Sequence, residues 1–312
     1  MNLIFFGADQ YSAVALQTIL AASLPGDSRQ VQVVTDKHEG GSPVEKLAKE
    51  HNLNVSYYPT LPDLSGAIGL CASFDHLIPQ DIIAQFAGNL YNLHPSLLPQ
   101  YRNVSPVQYA IALGDKETGI TLFRISPGID DGEIIAQSSE PILESDTTAT
   151  LTPRLFKKGA ELFLSYDPCK PSNIYKDRNF AIPAESLIFT RRLTRDSGFI
   201  DWVVLEKLLT GKKIEATETN NGLLNLRITH NPDGNILKDL LRALTPWPGI
   251  WSLVPTKKGE LRIALVIKGS DLTGSAQPAD SKAGRSDPEG IQILISGKHK
   301  AISLKDFTKY YL

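Results

Sequence analysis

Asn92 and His94 stand two residues apart, directly ahead of Pro95 and close to Pro99. On an extended strand, residues at i and i+2 point to the same face. The prolines stop regular structure, so the pair is expected at a strand end entering a loop. An amide beside an imidazole can donate to a developing oxyanion and move a proton. Farther on, residues 125–132 (ISPGIDDG) form a Gly-bearing turn with two adjacent acids, Asp130 and Asp131. A carboxylate there could orient His94 and raise its pKa above the reference value of about 6.5. Taken alone, an N-x-H or an Asp-Asp-Gly is most often a surface or turn feature, and spacing does not say which acid would act.

The elements that must hold these groups alternate. Strands are expected at Asn2–Phe6, Gln30–Thr35, 55–58, 67–74 and Leu90–His94, with helical stretches after the first strand, at 43–51 and at 79–86. Such alternation implies right-handed βαβ units and a mostly parallel sheet. Ligands on such sheets bind outside the carboxyl ends of strands, where Asn92 and His94 fall. A helix at 107–113 follows Pro106, strands at 121–125 and 133–137 flank the ISPGIDDG turn, and a helix covers about 151–166. Residues 167–190 carry three prolines and read as a linker. The second part shows one helix at 237–244, strands at 250–254, 261–267 and Ile291–Ile295, and a mobile loop at 269–290, which together suggest a small β-barrel with one helix.

With 312 residues, 42% of them hydrophobic and 21% charged, one or two soluble globular domains are expected. Cys71 and Cys169 lie far apart without metal-ligand spacing, so reduced thiols and no zinc site are expected. Neither a signal peptide nor a membrane-spanning run is visible, which points to a cytoplasmic protein. Gly7-Ala8-Asp9 is not a dinucleotide fingerprint and Gly40-Gly41 is not a phosphate loop. Charge is uneven. Residues 1–200 hold 16 Lys and Arg against 22 Asp and Glu, whereas 201–312 hold 16 against 12. The basic half could face a polyanion.

The order N-x-H, SLLPxYR, Pro106, TGIT and IDDG resembles the 10-formyltetrahydrofolate-dependent formyltransferase family. FTRRLTRDSGFIDW (189–202) and LLRALTPWPGIW (240–251) are similar to the C-terminal domain of methionyl-tRNA formyltransferases, and MNLIFFGADQYSAVALQTIL and SPVEKLAKEHNLNV resemble earlier segments of the family. The resemblance implies a Rossmann-like formyltransferase domain (1–188) followed by a small OB-like β-barrel domain (189–312) that meets tRNA. It implies catalytic roles for Asn92, His94 and Asp130, with Asn92 and His94 stabilising the oxyanion and Asp130 orienting His94. Asp131 is the weaker choice, because the family's acid directly follows the aliphatic residue, here Ile129. Folate contacts fall on Ser96, Leu97, Leu98 and Pro99. The implied reaction moves formyl from 10-formyltetrahydrofolate to the α-amino group of methionine on initiator tRNA, without a metal, in a monomer.

The sequence departs from the family pattern at three places. The loop after the second strand is only DKHEGG, with Lys37 and His38 as its basic content, where tRNA-binding members carry a long basic loop. Asn103 stands where the family has Gly, and Asp75 where Gly is common. With that loop reduced, the RNA contact is expected in the second domain, with Arg191, Arg192, Lys212 and Lys213 as candidates. A sugar-nucleotide N-formyltransferase using the same donor is the main alternative. A 10-formyltetrahydrofolate hydrolase and a non-catalytic RNA-binding protein are the others.

Overall fold

The strand that opens the chain explains the sheet. Leu3, Ile4, Phe5 and Phe6 are all fully buried, the continuous apolar pattern of a strand covered on both faces. The structure is a computed structural model that describes residues 2–22, 30–166, 187–256, 259–267, 291–295, 301–303, 306–307 and 309. In it β1 (Asn2–Phe6), β2 (Gln30–Thr35) and β5 (Leu90–His94) keep their expected bounds. β3 (Asn54–Tyr57) is displaced by one residue and β4 (Ile68–Ala72) is shorter than expected. The hairpin strands β6 (Glu117–Arg124) and β7 (Ile134–Pro141) are longer than expected. The order is β3-β2-β1-β4-β5-β6-β7, with β5–β6 and β6–β7 antiparallel and the rest parallel. This is the Rossmann-like, mostly parallel sheet expected.

The first two helices begin where a side chain satisfies their free N–H groups. Asp9 caps α1 (Gln10–Ala21) by accepting from the N–H groups of Tyr11 and Ser12. Ser42 caps α2 (Pro43–Glu50), which has Pro in its first turn. Then come α3 (Gln80–Gln85), α4 (Pro106–Ala112) and α5 (Thr148–Ser165).

The second part departs from the single helix expected. It contains α6 (Trp202–Leu209) and α7 (Gly222–His230), capped by Asp201 and Asn221, ahead of α8 (Ile236–Ala243). α6 opens on four consecutive apolar residues (202–205) and α7 on Gly222, so neither shows the one-sided leucine spacing that marks α8, which is no longer than α6. β8 (Ile250–Thr256), β9 (Gly259–Ile267), β10 (Ile291–Ile295) and β11 (Ile302–Ser303) form an antiparallel sheet ordered β11-β10-β9-β8, that of a small barrel-like domain. Arg242, from the R-A-x-x-P-W-P block, donates to the carbonyls of Leu143 and Asp146 and to Asp239, which also pairs with the buried Arg227.

Two compact units interleave along the chain. One holds residues 1–106, 117–141 and 152–190, and the other 107–116, 142–151 and 191–312. Of the expected linker, residues 167–186, with Cys169, lie outside the described residues, as does the whole expected loop at 269–290.

Candidate active site

β5 presents Leu90, Asn92 and His94 on one face, and its end runs into the loop that begins at Pro95. Asn92 lies beside Cys71 of β4 and Phe123 of β6, and His94 lies opposite Thr121. Among the described residues the Asn92 amide makes no hydrogen bond, so its N–H groups stay available to a ligand. His94 has a polar neighbour at each ring nitrogen. Nε2 lies 2.9 Å from the Tyr101 carbonyl. A carbonyl can only accept, so this nitrogen carries the proton of the neutral ring. Nδ1 lies 3.5 Å from Asp130 Oδ2, within ion-pair range but long for a hydrogen bond.

The expected rise in the His94 pKa is not what the structure shows. The ring is buried, and loss of water around the charged form pulls the pKa below its usual value. Asp130 and the Tyr101 carbonyl push it up, but by less. His94 is therefore neutral at neutral pH, with its Nδ1 lone pair toward a carboxylate. A proton arriving on Nδ1 would create an imidazolium that Asp130 stabilises. The donor role expected of His94 falls, in this form, to Asn92.

Asp130 comes from the β6–β7 hairpin turn. The Arg124 N–H donates to the Glu133 carbonyl at 2.9 Å, the side chains pair at 3.0 Å, and the Ile125 N–H donates to Leu90 O at 2.8 Å. Gly132 is required there, because a Cβ would lie 1.8 Å from the Arg124 carbonyl oxygen. Within this frame Asp130 has φ +47° and its Oδ2 accepts the Asn103 N–H at 2.8 Å. Asn103 itself has φ +80°, a conformation Asn tolerates better than most residues. Asp131 is exposed and bonded to the Ser126 hydroxyl.

Ser96, Leu97, Leu98 and Pro99 follow His94 directly. Thr121 Oγ1 donates to the Ser96 carbonyl (2.6 Å) and accepts from the Leu98 N–H (3.1 Å) and from Gln137 Nε2 (2.9 Å). Gln137 Nε2 also donates to the Leu98 carbonyl (2.8 Å). Ser96 Oγ donates to the Gln100 carbonyl (2.7 Å), and Leu97 lies against Gly119. The row His94–Thr121–Gln137 crosses three neighbouring strands in register. Sequence reasoning missed the roles of Thr121 and Gln137. The only signal was the polar end of TGIT.

Leu90 belongs to an apolar cluster with Cys71 and Phe86, flanked by half-buried Phe74, Ile78, Ile82 and Ile125. Asp75 is exposed beside it. The RNA-contact candidates belong to the other unit. Arg191 and Arg192 are exposed, as are Lys212 and Lys213 in the turn after α6, which follows Gly211 at φ +70°. Among the described residues no group of three His, Cys, Asp or Glu could hold a metal ion, and no helix is long and apolar enough to cross a membrane.

Comparison with known proteins follows the same outline. Residues 1–166 match the family model described as formyl transferase. A methionyl-tRNA formyltransferase of Corynebacterium diphtheriae is 29% identical over 87% of this chain and 83% of its own length. That of Thiobacillus denitrificans is 27% identical over 95% and 89%. Among solved structures, a sugar 3N-formyl transferase with dTDP and 5-N-formyl-THF superposes with a TM-score of 0.56, at 20% identity, over 95% of this chain and 97% of that one.

Proposed function

Because the chain belongs to the formyl transferase family, we propose that it moves the formyl group of 10-formyltetrahydrofolate to the α-amino group of methionyl-initiator tRNA. One observation carries the chemistry: a free amide, a buried neutral imidazole and a carboxylate converge at one strand end beside an apolar wall. The acceptor rests on the named relatives, which match over 87% and 95% of the chain. We place the folate against the Phe74–Ile125 wall and the 96–99 loop, the transfer in 1–188, and the tRNA contact in 189–312. A cytoplasmic monomer fits this role.

In the reaction a bond forms from the amine nitrogen to the formyl carbon, the bond from that carbon to the folate nitrogen breaks, and one proton passes between the two nitrogens. Asn92 donates to the oxygen that gains negative charge, and one such donor contributes roughly 3 kcal/mol. His94 Nδ1 receives the proton of the attacking amine, and Asp130 stabilises the resulting cation. The Tyr101 carbonyl keeps Nε2 protonated, which leaves Nδ1 as the base.

A second reading, a sugar-nucleotide acceptor, is favoured by the short β2–α2 loop, whose Asp36 is tied to His76 at 2.7 Å. Incubation with 10-formyltetrahydrofolate and either charged initiator tRNA or an amino-sugar nucleotide separates the two. Formylated methionyl-tRNA is the expected product, and turnover of the sugar alone would overturn the acceptor assignment. Replacing Lys212 and Lys213 with Glu should raise KM for charged tRNA, lower the salt slope by about one per lost phosphate contact, and leave folate affinity unchanged. An unchanged KM and slope would remove these lysines from the interface.

A further inference from the structure

We infer that residues 187–190 form a strap that positions His94 and Asp130, so that the stretch leading into Arg191 is part of the active-site scaffold. The inference rests on the formyl-transfer reading of the site. Hydrogen bonds tie the strap to residues 100–103. The Ile188 N–H donates to Gln100 Oε1 at 2.9 Å. Phe189 bridges to Arg102, with the guanidinium 5.9 Å from the ring centre. The N–H and Oγ1 of Thr190 both donate to the Arg102 carbonyl, at 3.0 and 2.8 Å. Asn103 Nδ2 donates back to the Thr190 carbonyl at 3.2 Å.

The loop held in this way supplies two backbone groups to the site. The Tyr101 carbonyl holds His94 Nε2, and the Asn103 N–H holds Asp130 Oδ2. Backbone groups cannot be re-aimed by a rotamer change; only the path of the loop places them. That path is costly. Tyr101, Asn103 and Ser105 have φ of +58°, +80° and +67°, a left-handed conformation that non-glycine residues keep only where their surroundings enforce it. Thr190 is 1% exposed, so its bonds are shielded from water, whereas its neighbour Phe189 is 60% exposed. Burial of that large apolar side chain is therefore not what fastens the strap.

The test uses the full chain. Thr190→Val removes the hydroxyl and keeps the shape, and Thr190→Ser keeps the hydroxyl. Asn103→Gly permits the positive φ and keeps the N–H on Asp130, but loses the bond to Thr190. A misplacement of about 1 Å can cost ~10²-fold in rate. We expect kcat to fall about 10- to 100-fold in Thr190→Val and Asn103→Gly, with folate KM within about twofold, and Thr190→Ser to match the wild type. The His94 ring resonances should shift in the first two variants and not in the third. That readout needs no acceptor. A wild-type chain inert toward charged tRNA would count against the acceptor assignment alone, and the resonances would still decide the strap. Unmoved His94 resonances in Thr190→Val, an unchanged kcat, or an equal loss in Thr190→Ser each overturn it.

Discussion

Asp130→Asn removes one charge and little else. The Asn side-chain oxygen can still accept the Asn103 N–H that Asp130 holds at 2.8 Å, and the turn is closed independently by Arg124 and Glu133. What is lost is the attraction between a carboxylate and a cation forming on His94 Nδ1, 3.5 Å away. At that separation a charge pair is worth about 5 kcal/mol at an effective dielectric of ~20 and about 1 kcal/mol in bulk water. The side chains are 6% and 15% exposed, so screening lies between these limits, and we take about 2–4 kcal/mol, or ~30- to ~10³-fold in kcat. Asp131→Asn is the internal control. That acid is exposed and bonded to Ser126, and a surface change of about 0.5 kcal/mol allows roughly a twofold effect. The assay is steady-state transfer from 10-formyltetrahydrofolate to charged tRNA, with urea unfolding to verify that Asp130→Asn stays within about 1 kcal/mol of the wild type. Loss below threefold in Asp130→Asn, or equal loss in the two variants, would refute the assignment of the acid.

Other consequences are open to measurement. Thr121→Val leaves the buried Leu98 N–H without its partner and removes a partner of Gln137. It should cost about 1–3 kcal/mol in denaturant unfolding and raise folate KM more than it lowers kcat; an unchanged KM would show that the 96–99 loop does not need this clasp. Asp239→Ala strands Arg227 and Arg242, which are 1% and 10% exposed, and should destabilise the chain by about 3–5 kcal/mol; a loss under 1 kcal/mol would mean that water or another group already neutralises them. The His94 pKa is lowered by burial, so the unfolded chain, near 6.5, binds the proton more readily. Stability from this group is complete above about pH 6.5 and is lost as pH falls through the folded-state value. The unfolding free energy measured in urea should therefore fall less steeply from pH 7 to pH 5 in His94→Gln than in the wild type, and equal pH slopes would contradict the burial argument.

Much of the frame was legible in the residues. A continuous apolar run bounded β1 at Asn2–Phe6, and β5 could be bounded at Leu90–His94 because alternation ends at Pro95. Asn92 and His94 fell on one face by strand period alone, and the order of strands and helices implied a mostly parallel sheet. These are local signals, repeated every two or 3.6 residues, and they survive in one dimension. α6 and α7 lack the one-sided apolar spacing that made the equally short α8 legible, and went unread. The direction of the His94 pKa was also misread, because the sequence names the nearby acid but not the amount of water left around the ring. Only the folded chain brought Thr121 under Ser96 and Leu98, and Asn103 onto Asp130, across separations of 23 to 27 residues. The Tyr101 carbonyl that sets the His94 tautomer and the Asn103 N–H that holds Asp130 are main-chain atoms. Every residue but proline carries both groups, so no residue type marks the positions where they matter. That selection belongs to the tertiary structure.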